Sequence, residues 1–151
     1  MDLTPPLEDY LEVIAHLCRE SSVARVKDIA KRMDVSNPGV VRALRQLKRR
    51  RLVEQQPYGF VRLTDYGTQS AAAIIERHET LAEFLENVLG LDPTRAAEDA
   101  CRMEHAASIE TILRLRAATA LLGSEARARA RWRQRFDRFY ARTTRGRTVR
   151  P

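Results

Sequence analysis

Five consecutive residues, Cys101-Arg102-Met103-Glu104-His105, hold a thiol, a carboxylate and an imidazole, in a chain of 151 residues with two cysteines and three histidines. At about 100° per helical residue, positions i, i+3 and i+4 share one face, so a helix here projects Cys101, Glu104 and His105 together. Thiolate, carboxylate and imidazole on one face can chelate a divalent metal ion. Two other stretches offer similar donors: Asp9 and Glu12 stand at i and i+3, and His78 lies beside Glu79. One helix seldom fills a coordination sphere; three can. The same groups admit two other chemistries. A di-metal hydrolase would use the carboxylates and histidines to hold ions that activate water, and a redox switch would use Cys101 as an oxidisable thiol. The hydrolase reading leaves the basic part of the chain unexplained. Acidic neighbours argue against a low thiol pKa at Cys101 unless metal is present.

Charge shows what else these donors serve. Residues 25–62 carry 11 Lys/Arg against 3 acids, residues 124–151 carry 10 Arg against 2 acids, and the remainder carries 6 basic and 15 acidic side chains. A basic module beside an acidic one points to a polyanion for the first and cations for the second. No stretch approaches the ~20 apolar residues of a membrane span, and the N-terminus has neither the basic start nor the apolar run of a signal peptide. The expectation is a cytoplasmic protein with no membrane partner and no small organic substrate. Cys18 and Cys101 cannot form a disulfide framework, and Cys18 is expected in the core.

The elements that must position the donors follow from periodicity and caps. Thr4 and Pro5 open a helix with Leu7, Tyr10, Leu11, Ile14 and Leu17 at helical spacing. A short helix with Val26, Ile29, Ala30 and Met33 inward comes next. Ser36 and Pro38 then open another, with Val40, Leu44 and Leu47 inward. Two β-favouring runs flank Pro57-Tyr58-Gly59, a hairpin signal. Two short helices, a turn and a hairpin predict a winged helix-turn-helix. In that motif the N-terminal end of the second short helix enters the major groove, while flanking basic residues hold phosphates. The DNA-facing candidates are Arg25, Lys27, Ser36, Asn37, Pro38, Gly39, Val41, Arg42, Arg45, Lys48 and Arg49. Among them Arg42 suits bidentate contact with guanine, and Lys48 and Arg49 suit phosphate neutralisation.

Beyond the wing, residues 65–89 read as one long helix closed by Gly90. Asp92 and Pro93 start the helix that carries the Cys101 motif, and Ser108 starts another that ends at Gly123. Ile109, Ile112, Leu113, Leu115, Leu121 and Leu122 give this last helix more apolar surface than it can bury alone, which predicts a homodimer. Residues 125–141 can form a helix with an aromatic stripe of Trp132, Phe136 and Phe139 and an arginine face. The predicted fold is mainly α. Residues 1–64 form the winged helix-turn-helix with its small hairpin, 65–142 a helical metal-binding and dimerisation domain, and 143–151 a disordered basic tail.

The chain resembles the diphtheria-toxin-repressor family of metal-dependent transcriptional regulators over residues 4–122. The resemblance rests on "EDYLEVI", "ARVKDIAKRMDVSNPGVVRALRQL", "VRLTDYG", "ERHETLAEFL" and "EDACRMEHAAS". Cys at the first position of the Cys101 motif is similar to the iron-responsive branch, where the manganese branch has Glu. Asp9 and Glu12 are similar to the manganese branch; iron regulators commonly have Met in place of Asp9. The resemblance implies metal ligation by Asp9, Glu12, His78, Cys101, Glu104 and His105 around one or two ions per subunit. The implied metal is Mn²⁺ or Fe²⁺, with Co²⁺ or Zn²⁺ accepted in vitro. Cys101 would donate through its sulfur or its backbone carbonyl. The second iron-branch site is not matched, because Ala82 and Ala97 stand where that branch has Glu and His. The implied architecture is that of the two-domain manganese regulators, with no SH3-like domain after residue 123. The implied function is repression of metal-uptake genes: metal fixes the first helix against the metal-binding domain, so that a homodimer fits two half-sites of double-stranded operator DNA.

Overall fold

The computed structural model describes residues 3–56, 59–124 and 126–144. The chain divides into two compact units, Met1–Glu76 and Arg77–Pro151. It is mainly helical with one small antiparallel sheet, as the sequence predicts.

In the first unit, α1 (Pro5–Ser21) follows Thr4 and ends at Ser22 in the left-handed region. Its buried residues Leu7, Leu11, Ile14, Ala15 and Leu17 form the predicted stripe. β1 (Ala24–Arg25) leads directly into α2 (Val26–Met33), which Asp34 closes in the left-handed conformation by donating its N–H to the Ala30 carbonyl. After Ser36, α3 (Asn37–Arg49) buries Val40, Ala43, Leu44 and Leu47 at helical spacing. The predicted hairpin is β2 (Val53–Gln55) paired with β3 (Phe60–Leu63), Glu54 standing opposite Arg62. Pro57 and Tyr58 of its expected turn lie outside the described residues. Periodicity did not reveal β1, which pairs with the outer side of β3 and gives the order β1-β3-β2.

One tight junction locks the wing to α4 (Asp65–Phe84). Thr64 Oγ1 donates to the Arg51 carbonyl at 2.6 Å and accepts the Gly67 N–H at 2.9 Å. A Cβ on Gly67 would lie 1.8 Å from the Leu52 carbonyl oxygen, so only glycine permits this approach. Cys18 packs against the core of this unit and directs its thiol toward the Val61 carbonyl at 3.7 Å. Burial pushes that thiol above its ordinary pKa.

In the second unit, the end of the long helix is not α-helical. Leu85–Leu89 form a π turn, and Gly90, at φ +78°, closes it by donating its N–H to the Leu85 carbonyl. Asp92 caps α5 (Pro93–Met103), accepting from the N–H groups of Thr94 and Arg95. Ser108 caps α6 (Ile109–Gly123) through the Thr111 N–H. Leu81, Leu85, Ala96, Ala100 and Ile112 form the core. The unit closes with α7 (Ala126–Thr143). Trp132 Nε1 donates to the Val88 carbonyl at 3.0 Å and Arg133 donates to the Glu86 carbonyl at 3.0 Å. These bonds satisfy carbonyls at a helix end that would otherwise lack partners. The expected aromatic stripe needs one correction. Phe136 stacks on Trp132 at 5.9 Å and on Tyr140 at 6.2 Å, whereas Phe139 is 67% exposed. Stacking follows i, i+4, i+8, so position 140 takes the place assigned to 139. The expected disordered tail lies outside the described residues from 145 onward. Among the described residues no helix is long and apolar enough to cross a membrane.

Candidate metal centre and nucleic-acid interface

The second unit is built around a carboxyl group in its interior. Glu104 is completely buried and sits at the C-terminal end of α5, still in helical conformation. The reason is its place on the helix. Ala96, Ala100 and Glu104 follow at intervals of four, and the two alanines pack in the core, so Glu104 is carried to the same side. One carboxylate oxygen meets His78 of α4: Nδ1 and Oε2 are 2.7 Å apart. The other, Oε1, has no hydrogen bond, and His105 Nε2 lies 3.5 Å from it. Both imidazoles are mostly enclosed, with 26% of the His78 side chain and 13% of the His105 side chain exposed.

A buried carboxylate oxygen without a hydrogen bond is costly unless a cation faces it. Two imidazoles and a carboxylate are the nitrogen and oxygen donors that Mn²⁺, Fe²⁺ and Zn²⁺ accept. The residues present therefore fit a divalent metal. Cys101 belongs to the same motif but is exposed. It follows Ala100 by one residue, which turns it about 100° from the core-facing row to the solvent margin of α5. The two remaining candidates belong to the first unit. Asp9 and Glu12 are half-buried on α1, and Glu12 Oε1 lies 3.6 Å from His16 Nε2.

The nucleic-acid candidates form a surface of the first unit. Arg25, Lys27, Ser36, Asn37, Pro38, Val41, Arg42, Arg45, Lys48 and Arg49 are exposed, and Gly39 is half-buried. The buried Val40, Ala43, Leu44 and Leu47 fix α3 by its opposite face, leaving Asn37, Val41, Arg42 and Arg45 outward. Val41, Arg45 and Lys48 line a hollow of 170 Å³ together with Gln55 of β2. At the other side of the sheet the Arg25 guanidinium stands 5.0 Å from the centre of the Phe60 ring, a cation–π contact that holds its charge beside the wing.

Two family descriptions match consecutive parts of the chain. Residues 2–61 match the iron-dependent repressor N-terminal DNA-binding domain, and residues 64–122 match the iron-dependent repressor metal-binding and dimerisation domain. The chain belongs to this family of metal-dependent transcriptional regulators. An uncharacterized HTH-type transcriptional regulator of Methanocaldococcus jannaschii is 34% identical over 115 residues, 76% of this chain and 92% of that protein. The transcriptional regulator MntR of Escherichia coli is 42% identical over 106 residues, 70% of this chain and 68% of that protein. Among solved structures, the manganese regulator SloR superposes with a TM-score of 0.66 at 31% identity, covering 75% of this chain. The match spans 53% of the SloR chain. These relatives are regulators and the family is one of transcriptional repressors, so the hydrolase reading is set aside.

Proposed function

We propose that this chain is a metal-responsive repressor that binds operator DNA as a homodimer when Mn²⁺ or Fe²⁺ occupies its second unit, and that it controls metal-uptake genes. The observation that carries the reading is the buried Glu104 carboxylate, with one oxygen on His78 and the other lacking a hydrogen bond. His78, Glu104 and His105 would hold the ion, and Asp9, Glu12 and Cys101 complete the proposed ligand set. A bound divalent cation supplies the positive charge that the buried carboxylate lacks.

The chain's own residues do the rest. Glu104 orients the His78 ring through Nδ1, and the Ser108 cap starts α6 just beyond His105, limiting the reach of the intervening turn. Carboxylates contributed by α1 would tie the helix that supports the winged motif to the metal-binding unit. Ordering that linkage before DNA binds would lower the entropy lost on binding, so a bound metal would act as co-repressor through preorganisation. Ile109, Leu113 and Leu121 remain exposed on α6, at 74%, 49% and 74%. That apolar face supports a subunit contact, and a two-fold dimer calls for a pseudo-palindromic operator.

The test is an anaerobic titration of Mn²⁺ and Fe²⁺ into mixtures of protein and labelled DNA from upstream of its own gene and of metal-transporter genes. Metal-dependent, chelator-reversible binding to one such site supports the reading. Binding indifferent to metal would overturn it.

A further inference from the structure

Five of the seven arginines of α7 fall into a single stripe. Arg127, Arg131, Arg135, Arg138 and Arg142 follow at intervals of four, four, three and four, which at about 100° per residue places them within an arc of about 80°. All five are exposed. Among the described residues none of them meets a carboxylate; Arg138 Nε donates to the Gln134 carbonyl of its own helix at 3.1 Å. The acid of this helix, Asp137, lies off the stripe and faces Arg133 at 3.9 Å. Trp132 and Arg133 anchor α7 to the π turn by another side, with Phe136 stacked on Trp132, so the stripe is held outward. Like charges at i, i+4 disfavour an isolated helix. A polyanion laid along the stripe would turn that repulsion into attraction.

We propose that this stripe is a second DNA-binding surface, which grips phosphates of the duplex backbone without reading bases. The inference rests on the reading that the chain binds operator DNA, since the winged motif is what brings a duplex to the protein. It concerns a segment beyond residue 122, where the match to the family's metal-binding and dimerisation domain stops. Charge complementarity selects the occupant: planar guanidinium groups match phosphate oxygens in pairs. From Arg127 to Arg142 the helix rises about 22 Å, the axial length of roughly six to seven base pairs. The sequence continues with Arg145, Arg147 and Arg150, extending the same charge.

The experiment uses full-length, Mn²⁺-loaded protein and compares wild type with two quintuple variants at positions 127, 131, 135, 138 and 142, one Arg→Gln and one Arg→Lys. Binding to an operator duplex and to a long scrambled duplex is measured across a salt series. Each lost phosphate contact lowers the salt slope by about 0.9, so the Arg→Gln variant is expected to lose between about two and about four units per protomer on the scrambled duplex. The Arg→Lys variant keeps most of the slope, and the preference for operator over scrambled DNA stays within twofold in both. Thermal unfolding and sedimentation matching wild type show that the fold is intact. An unchanged slope in the Arg→Gln variant overturns the proposal. So does loss of self-association in that variant, which would make the stripe a subunit contact. Failure of wild type to prefer any operator would instead count against the functional reading, while the scrambled duplex still reports on the stripe.

Discussion

His78 Nδ1 lies 2.7 Å from Glu104 Oε2, and the other oxygen of that fully buried carboxylate has no hydrogen bond. That carboxylate therefore has a hydrogen bond on one oxygen only, with the His105 imidazole 3.5 Å from the other. Glu104→Gln removes the charge and keeps an acceptor for His78, so denaturant unfolding of metal-free protein should show stability unchanged or raised. His78→Ala leaves the carboxylate with no hydrogen bond and should cost about 1–3 kcal/mol. Greater loss in Glu104→Gln than in His78→Ala would mean that the buried charge is compensated in the metal-free state.

Cys101 is exposed and Cys18 is packed in the core with its thiol pKa raised by burial. Alkylation of metal-free protein should modify Cys101 first, and Cys18 should gain reactivity only at higher pH, where its thiolate forms. If the Cys101 sulfur joins the metal site, Mn²⁺ or Co²⁺ should protect it. Cys101→Glu exchanges a soft donor for a hard one and should shift preference toward Mn²⁺ over Fe²⁺ in metal titrations. An unchanged preference, with no protection, would make the sulfur a spectator.

Arg42 and Lys48 are both exposed on α3 but should fail differently. Arg42→Ala should cost roughly 1–3 kcal/mol on the operator and relax discrimination at one base pair in each half-site. Lys48→Ala should weaken binding to every sequence and flatten the salt dependence. Equal losses on all sequences for Arg42→Ala would remove it from base reading.

Gly67 approaches the Leu52 carbonyl so closely that a Cβ would overlap it. Gly67→Ala must displace either the wing or the start of α4, and should destabilise the first unit by roughly 2–3 kcal/mol. Wild-type stability in that variant would show that the junction yields at no cost.

The helices and two of their caps were legible because each signal is local, whereas Thr4 and Ser36 precede their helices without a side-chain capping bond. Ser108 and Asp92 cap the helices that they precede in sequence, and Val40, Leu44 and Leu47 face inward as their spacing demands. β1 was not legible, since two residues carry no periodicity and their pairing with Val61 and Phe60 depends on distant chain. The π turn at Leu85–Leu89 was equally hidden, because nothing in those residues separates i→i−5 from i→i−4 bonding; Trp132 and Arg133, more than forty residues away, satisfy its carbonyls. At the candidate site, helical spacing grouped Cys101 with Glu104 and His105 but could not rank their burial. That ranking comes from Ala96 and Ala100, whose small side chains let α5 pack closely and carry Glu104 inside.

The most direct measurement is anisotropy of one operator duplex, titrated anaerobically with Mn²⁺ in the presence of wild-type protein or Glu104→Gln. Wild type should tighten at least tenfold on metal addition and release on chelation, while Glu104→Gln should bind as weakly with Mn²⁺ as without it. A variant that responds to Mn²⁺ as wild type does would contradict the assignment of the buried carboxylate as the group through which metal controls DNA binding.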